Sequence, residues 1–218
     1  MRLTLEKLIQ EASKFCQHET AQNHVSLIGV TDGKAVGTYV EQRFQAYLRK
    51  KYDIAVGNSA YGIDLPDPDI ETDIKVTSIR QPQSSCPFRS ARQKIYGLGY
   101  NLLIFVYDKI DTQTSCTLNF QYLTFIDKSR TADYTVTKRL REMLLDGGNR
   151  EDIIGFLVDK NMPGDEIVLH DLADEILASP PTQGYLTISN ALQWRLQYNR
   201  VIRLGNTVDG VSNYEWNG

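Results

Sequence analysis

Asp64, Asp73 and Lys75 carry the chemistry this sequence offers most plainly. They lie in GIDLPDPDIETDIKVT, residues 62–77. Read with a period of two from Ile70, the segment puts Ile70, Thr72, Ile74 and Val76 on one face of a strand. Glu71, Asp73, Lys75 and Thr77 fall on the other. The first face can pack on a core. The second sets two carboxylates and an ammonium side by side. Asp64 stands upstream with Pro66 and Pro68, where a bend can bring it beside Asp73. Two carboxylates and a lysine meeting at a strand end suit a hard divalent cation and an activated water. The same residues also fit a solvated strand face, so the surrounding chain has to decide.

The chain has 218 residues, enough for one good core. Its composition is that of an ordinary globular protein, with no low-complexity tract and no apolar run of membrane-spanning length. The amphipathic, acid-containing N-terminus MRLTLEKLIQEASKFC is neither a secretory signal nor a typical transit peptide. Cys16, Cys86 and Cys116 are widely spaced and odd in number, which points to a reducing compartment and away from a zinc framework. His18, His24 and His170 form no ligand pair at helical spacing and read as surface or satisfied histidines. A net charge of −3 excludes a general nucleic-acid coat protein, which carries a broad basic field. It leaves room for a groove-specific enzyme whose local lysines and arginines are offset by acids elsewhere.

The elements that must hold the acidic segment can be read from periodicity. Leu5, Leu8, Ile9, Ala12, Phe15 and Cys16 give an amphipathic helix over 4–17, with Thr4 available as its cap. Val36, Val40, Phe44, Tyr47 and Leu48 give a second helical stripe in Lys34–Lys51. Gly37 and Glu41 lie one turn apart beside that stripe. The small Gly37 would let the helix approach another backbone, which would carry Glu41 inward, where a carboxylate needs a cation or a base. Glu41 also fits an exposed helical position. NLLIFVYD, residues 101–108, reads as a strand buried on both faces, and 117–126 as its neighbour. With 70–77 they make a central mixed sheet. Helices follow from Asp133 to Leu145, from the cap Asn149 through Leu157, and from about Asp165 to Ser179-Pro180-Pro181.

Two segments have the composition of a nucleic-acid contact. Residues 78–93 hold no acid and include Arg80, Gln81, Gln83, Ser84, Ser85, Arg89 and Arg92. Arginine and glutamine can pair with base edges, and hydroxyls suit phosphates. Thr182–Gly218 interleaves Tyr185, Trp194 and Tyr198 with Asn190, Arg195, Arg200 and Arg203. Both also fit solvated surface.

Several stretches in order resemble one family. Asp64, then Asp73-Ile74-Lys75, resembles the PD-(D/E)XK nucleases, and DGKAVGTYVE with Glu41 is similar to the first helix of their MutH-like group. Asp64-Leu65-Pro66, Lys94 in Arg92-Gln93-Lys94-Ile95 before Leu102–Tyr107, and Gly184-Tyr185-Leu186 followed by Ser189-Asn190-Ala191-Leu192 continue the match. The chain departs in a longer gap from Asp64 to Asp73 and in an Asp as second acid. Asp67, Asp69 and Glu71 therefore compete as ligands, with Glu71 on the right face for a peripheral one.

The resemblance implies an α/β restriction-endonuclease-like fold, a central mixed β-sheet flanked by helices, in a single domain over 1–218. Its core would span about 30–130, helical cover about 131–180 and a DNA-recognition segment about 182–218. The resemblance implies a type II restriction endonuclease that cleaves double-stranded DNA with Mg2+ and leaves 5′-phosphates. Asp64 and Asp73 would hold the cation, with Glu41 and Glu71 as further candidates. Lys75 would handle the attacking water and Lys94 add positive charge. Such an enzyme is expected to be a cytoplasmic homodimer in a bacterial or archaeal cell, accompanied by a cognate DNA methyltransferase. A MutH-type nicking enzyme and a non-catalytic DNA-binding module with the same fold are the alternatives.

Overall fold

The computed structural model of the chain describes residues 2–55, 57, 62–189 and 195–216. The chain divides into two compact units. The first comprises residues 1–84, 100–127 and 197–218, and the second residues 85–99 and 128–196.

The first unit begins with helix α1, Leu5–Thr20, whose N-cap Thr4 accepts a hydrogen bond from the Lys7 amide. Helix α2, Gly33–Arg49, is capped by Asp32, which accepts from the amides of Lys34 and Ala35. Strand β1 is Thr72–Ser78, followed by the short β2, Gln83–Ser85. The long strands β3, Asn101–Asp111, and β4, Cys116–Ile126, complete the expected sheet. β1 runs parallel to β3, and β3 is antiparallel to β4. The sheet is therefore mixed, as the alternation and the apolar run predicted. A further strand near the C-terminus, β7 at Val211–Glu215, pairs with β4 and closes the order β1-β3-β4-β7. Periodicity did not reveal β7, because only Val211 and Asn213 of its five residues are buried.

The core of this unit fills the space between α1, α2 and the sheet. Phe15, Phe44, Phe105 and Phe120 come from four different elements and meet at centroid distances of 5.0 to 6.4 Å. Leu102, Leu103, Ile104, Phe105 and Val106 are all fully buried on β3. Each such side chain contributes roughly 1.5–3 kcal/mol of burial. That strand is the rigid backing on which β1 is registered, with Asp73 opposite Leu102 and Lys75 opposite Ile104. Charged side chains tie α1 to α2. Arg43 forks onto buried Glu19 at 2.6 and 2.8 Å, and Tyr47 and Lys51 converge on buried Glu11 at 2.7 and 2.5 Å. His24 is buried and satisfied by Tyr39 and the Glu19 carbonyl, so the bland reading of that histidine holds.

The second unit holds α3, Ala91–Tyr96; α4, Tyr134–Leu145; α5, Arg150–Asp159; and α6, Glu166–Ala178. The last three follow the expected boundaries to within two residues; Asn149 is the expected cap of α5, and Asp133 and Asp165 cap α4 and α6. Ile95, Leu140, Ile153, Leu157, Ala173 and Ile176 gather into a core of their own. Strand β5, Thr187–Ser189, lies in this unit, and β6, Arg195–Gln197, leads out of it. Helix α7, Asn199–Leu204, then returns to the first unit before β7. Among the described residues no helix is long and apolar enough to cross a membrane.

Helix α2 packs on β1, and Gly37 is where it meets the strand. A Cβ at Gly37 would sit 3.8 Å from Val76 Cβ and 3.9 Å from the Val76 carbonyl oxygen. That is ordinary contact for one methyl group and leaves no room for more. Gly37→Ala is expected to hold or raise stability by up to about 1 kcal/mol through helix propensity. Gly37→Leu is expected to lower it by about 1–3 kcal/mol through overpacking. Urea unfolding of the two variants checks both signs.

Candidate active site

A tight return places Asp64 beside strand β1. Leu65 and Thr72 pair as an antiparallel bridge, each amide donating to the other's carbonyl at 3.0 Å. The six intervening residues, 66–71, turn back through Pro66 and Pro68, and the Asp67 carbonyl accepts from the amides of Ile70 and Glu71. Glu71 closes the turn with φ +28°, a left-handed conformation that costs a non-glycine residue about 1 kcal/mol. Its carbonyl accepts from the Asn101 amide, which joins the end of the turn to β3. The strand consequently begins at Thr72, not Ile70, and the expected alternation of Glu71 with Asp73 stops at the turn.

Asp64 emerges from this return with its Oδ2 accepting a 2.7 Å hydrogen bond from the Ile74 amide. The carboxylate is thus anchored beside the strand that carries Asp73. The competing acids have other partners. Asp67 accepts from the Ala55 amide, and Asp69 pairs with Arg2 at the surface.

Asp73 is only 3% exposed. Its Oδ2 lies 2.7 Å from Lys75 Nζ, yet the approach is too far off line for a hydrogen bond. Oδ2 is the buried side-chain oxygen left without a hydrogen-bond partner among the described residues. Burial, opposed by Lys75 and reinforced by Asp64, pushes the Asp73 carboxyl up to about 7. Glu41, half-buried on α2, is likewise raised by burial, then by Asp64, with Lys75 acting the other way. The Gln45 amide donates to Glu41 Oε1 at 3.2 Å from one turn along the helix. Four residues that the sequence singled out, Glu41, Asp64, Asp73 and Lys75, thereby share one electrostatic neighbourhood.

Such crowding of carboxylates, with one buried oxygen unsatisfied, suits a divalent cation. Asp73 and Asp64 would be the donors, with Glu41 adjoining. No group of three or more acidic, histidine or cysteine side chains is close enough to form a full cage among the described residues. A magnesium-type ion fits that sparse donor set, because it keeps several of its waters.

Lys94 lies in the second unit. It sits on α3 and is 2% exposed, with Asp133 and Cys86 as neighbouring groups. Burial lowers its pKa, while Asp133 acts in the opposite direction. Asp133 is itself the hub of that unit: it accepts from the amides of Val136 and Ile188, and its own amide donates to the Lys94 carbonyl.

The expected DNA contacts divide by setting. Arg80 is exposed and pairs with Asp108 at 3.2 Å. Gln81 is exposed, and Gln83 and Ser84 are half-buried in β2. Ser85 and Arg89 are exposed, and Arg92 forks onto Glu175. Tyr185 packs on Tyr134 with the Arg130 guanidinium 5.8 Å from its ring. Arg195 is exposed and Arg200 half-buried, while Asn190 lies outside the described residues. Thr77 and Tyr198 were not singled out for a role, although both are hydrogen-bonded to the 80–84 segment.

A family model described as "Type II restriction enzyme NspV" matches residues 2–213. The chain is 56% identical to the type II restriction enzyme NspV of Nostoc sp. (strain ATCC 29411 / PCC 7524) over 211 residues. The match covers 96% of this chain and 95% of that protein. No solved structure matches.

The raised Asp73 carboxyl has a consequence for stability. Between about pH 4 and about pH 7 the folded protein retains a proton there that the unfolded chain has released. The unfolded state thus binds fewer protons, and stability falls as pH rises through that window. In EDTA, the unfolding free energy at pH 8 is expected to lie below that at pH 5.5, with this site contributing about 2 kcal/mol. Asp73→Asn should reduce the difference, leaving the share of Glu41 and Asp133, which burial also raises, as denaturant titrations at the two pH values would show. Glu11 and Glu19, whose pKa values are lowered, act below this window and do not mask it.

Proposed function

The chain belongs to the NspV family of type II restriction enzymes and is a sequence-specific deoxyribonuclease; on that premise we propose that Asp64, Asp73, Lys75 and Glu41 form its Mg2+-dependent active site. The observation that carries the proposal is the buried Asp73 Oδ2, unsatisfied beside Lys75 and facing Asp64. The fold would be the restriction-endonuclease-like one, with the mixed sheet presenting Asp73 and Lys75 from one strand.

Asp64 and Asp73 would hold the cation, and Glu71 stands at the turn as a peripheral candidate. When bound, Mg2+ supplies Lewis-acid stabilisation of charge on the scissile phosphate. Lys75 Nζ, held against Asp73, orients the attacking water and favours the charge developing on the phosphorane. Glu41, turned by Gln45 toward Asp64 and Lys75, fixes that lysine and accepts a proton as the water is activated. The water attacks phosphorus in line. The 3′-oxygen leaves and a 5′-phosphate remains. Lys94 would add positive charge from its own unit, and Lys94→Met tests that role against one in folding.

Contact with double-stranded DNA would come from Arg80, Gln81, Gln83, Ser84, Ser85, Arg89 and Arg92, and from Tyr185, Asn190, Arg195 and Arg200. A two-fold dimer on a palindrome would let each protomer cut one strand. A companion methyltransferase in the same cytoplasm would protect the host sites.

Incubation with unmethylated phage DNA is expected to give discrete bands with Mg2+ and none in EDTA. Sequencing the ends then gives the site. Asp64→Ala, Asp73→Ala and Lys75→Ala should each lower cleavage at least about 10²-fold. Each should leave binding to the same duplex in Ca2+ intact. Full cleavage by Asp73→Ala would remove Asp73 from the site, and single nicks in a supercoiled plasmid would argue for one-strand chemistry.

A further inference from the structure

The segment after β1 is held more tightly than an exposed, polar loop requires. Thr77, on the same strand face as Asp73 and Lys75, is buried. Its hydroxyl donates toward the carbonyls of Gln81 and Gln83, at 3.3 and 3.1 Å, and accepts from the Gln83 amide at 3.0 Å. The Gln81 amide donates to the Ser78 carbonyl and the Gln83 amide to the Gln81 carbonyl. Tyr198 approaches from the C-terminal part of the chain. Its amide donates to the Pro82 carbonyl at 2.9 Å, and its hydroxyl lies 2.5 Å from Ser84 Oγ. The Tyr198 ring is 0% exposed, one of the largest wholly buried side chains. Backbone groups of residues 81–83 and the Ser84 side chain are thus pinned from the adjoining strand and from a part of the chain more than a hundred residues away. The Gln81 side chain stays exposed, with no hydrogen-bond partner for its amide among the described residues.

A short segment with a fixed backbone and an outward carboxamide is what base reading needs. A glutamine amide can pair in two places with one base edge only if its backbone is already in register. We propose that Gln81 is a specificity-determining residue and that Thr77 and Tyr198 are positioning residues that hold it in register with Lys75. The inference rests on the proposed DNA contact of the 80–85 segment. The linkage is short: Thr77 stands two residues beyond Lys75 on one strand, so the segment that reads and the group that cleaves share a single backbone.

The test uses the full-length enzyme, Mg2+ and duplexes carrying its cleavage site or each single-base variant of it. Tyr198→Phe keeps the ring and loses the hydroxyl, and Thr77→Val keeps the shape and loses the three hydroxyl bonds to the loop. Both are expected to lower discrimination between site and near-site by about tenfold, while cognate turnover at saturating DNA changes less than about threefold. Gln81→Ala should lose discrimination at one base-pair position of each half-site. Hydrogen exchange at the Gln81 and Gln83 amides should accelerate in both clamp variants. Unchanged discrimination in Tyr198→Phe and Thr77→Val, with a loss in Gln81→Ala, would overturn the clamp and leave the contact standing. Unchanged discrimination in all three would remove the contact itself, and the inference with it. Unaltered amide exchange in both clamp variants would overturn the clamp whatever the cleavage data.

Discussion

A carboxylate oxygen buried without a hydrogen bond is the constraint around which the first unit is built. Leaving a charged acceptor unsatisfied is costly, and proteins keep such a group only where something else offsets it. Asp73 is held there by β3, whose fully buried run fixes the register of β1 and gives Asp73 no way to turn outward. The Leu65–Thr72 bridge adds Asp64 to the same place, and the turn accepts a strained Glu71 to do so. Like charges gathered in this way repel one another. The strain is of the kind expected at a functional site, and a divalent cation would relieve it.

The surrounding structure supplies the stiffness that this requires. Helix α2 carries Glu41 toward the strand because Gly37 permits a close approach to Val76. The helix is itself fastened to α1 through Glu11, Glu19 and their basic partners. At Glu11 and Glu19 burial is outweighed by hydrogen-bonded basic partners and the pKa values are lowered, whereas at Asp73 and Glu41 burial and the neighbouring Asp64 outweigh Lys75 and raise them. The same residue types therefore do two jobs in one unit. Paired acids hold helices together, and crowded acids prepare a site.

The pattern of types and spacing was enough to read much of this. The helical stripes, the caps at Thr4 and Asn149, and the buried run at 101–108 all depend on local rules, and the structure follows them. Asp73 and Lys75 stood out because a polar strand face against an apolar one is odd in a periodic pattern, the resemblance added weight to Glu41 and Asp64, and the structure places the four in one neighbourhood. The start of β1 was misjudged by two residues, because alternation alone cannot detect a turn closed by a left-handed Glu71. β7 was missed because an edge strand with few buried residues leaves little periodic signal.

By itself, then, the sequence determined the long helices, the buried strands, their apolar faces and a short set of acids and lysines as candidates for hydrolysis, because these follow from periods of two and 3.6 and from side-chain chemistry. Only the tertiary structure decided which acid stands beside Asp73. A linear reading favours Asp64 but leaves Asp67 and Asp69 in competition, and a backbone hydrogen bond from Ile74 sets Asp64 apart from the other two. It also decided that Tyr198, more than a hundred residues away in sequence, grips Pro82 and Ser84. Such contacts depend on the global path of the chain, which no local pattern encodes.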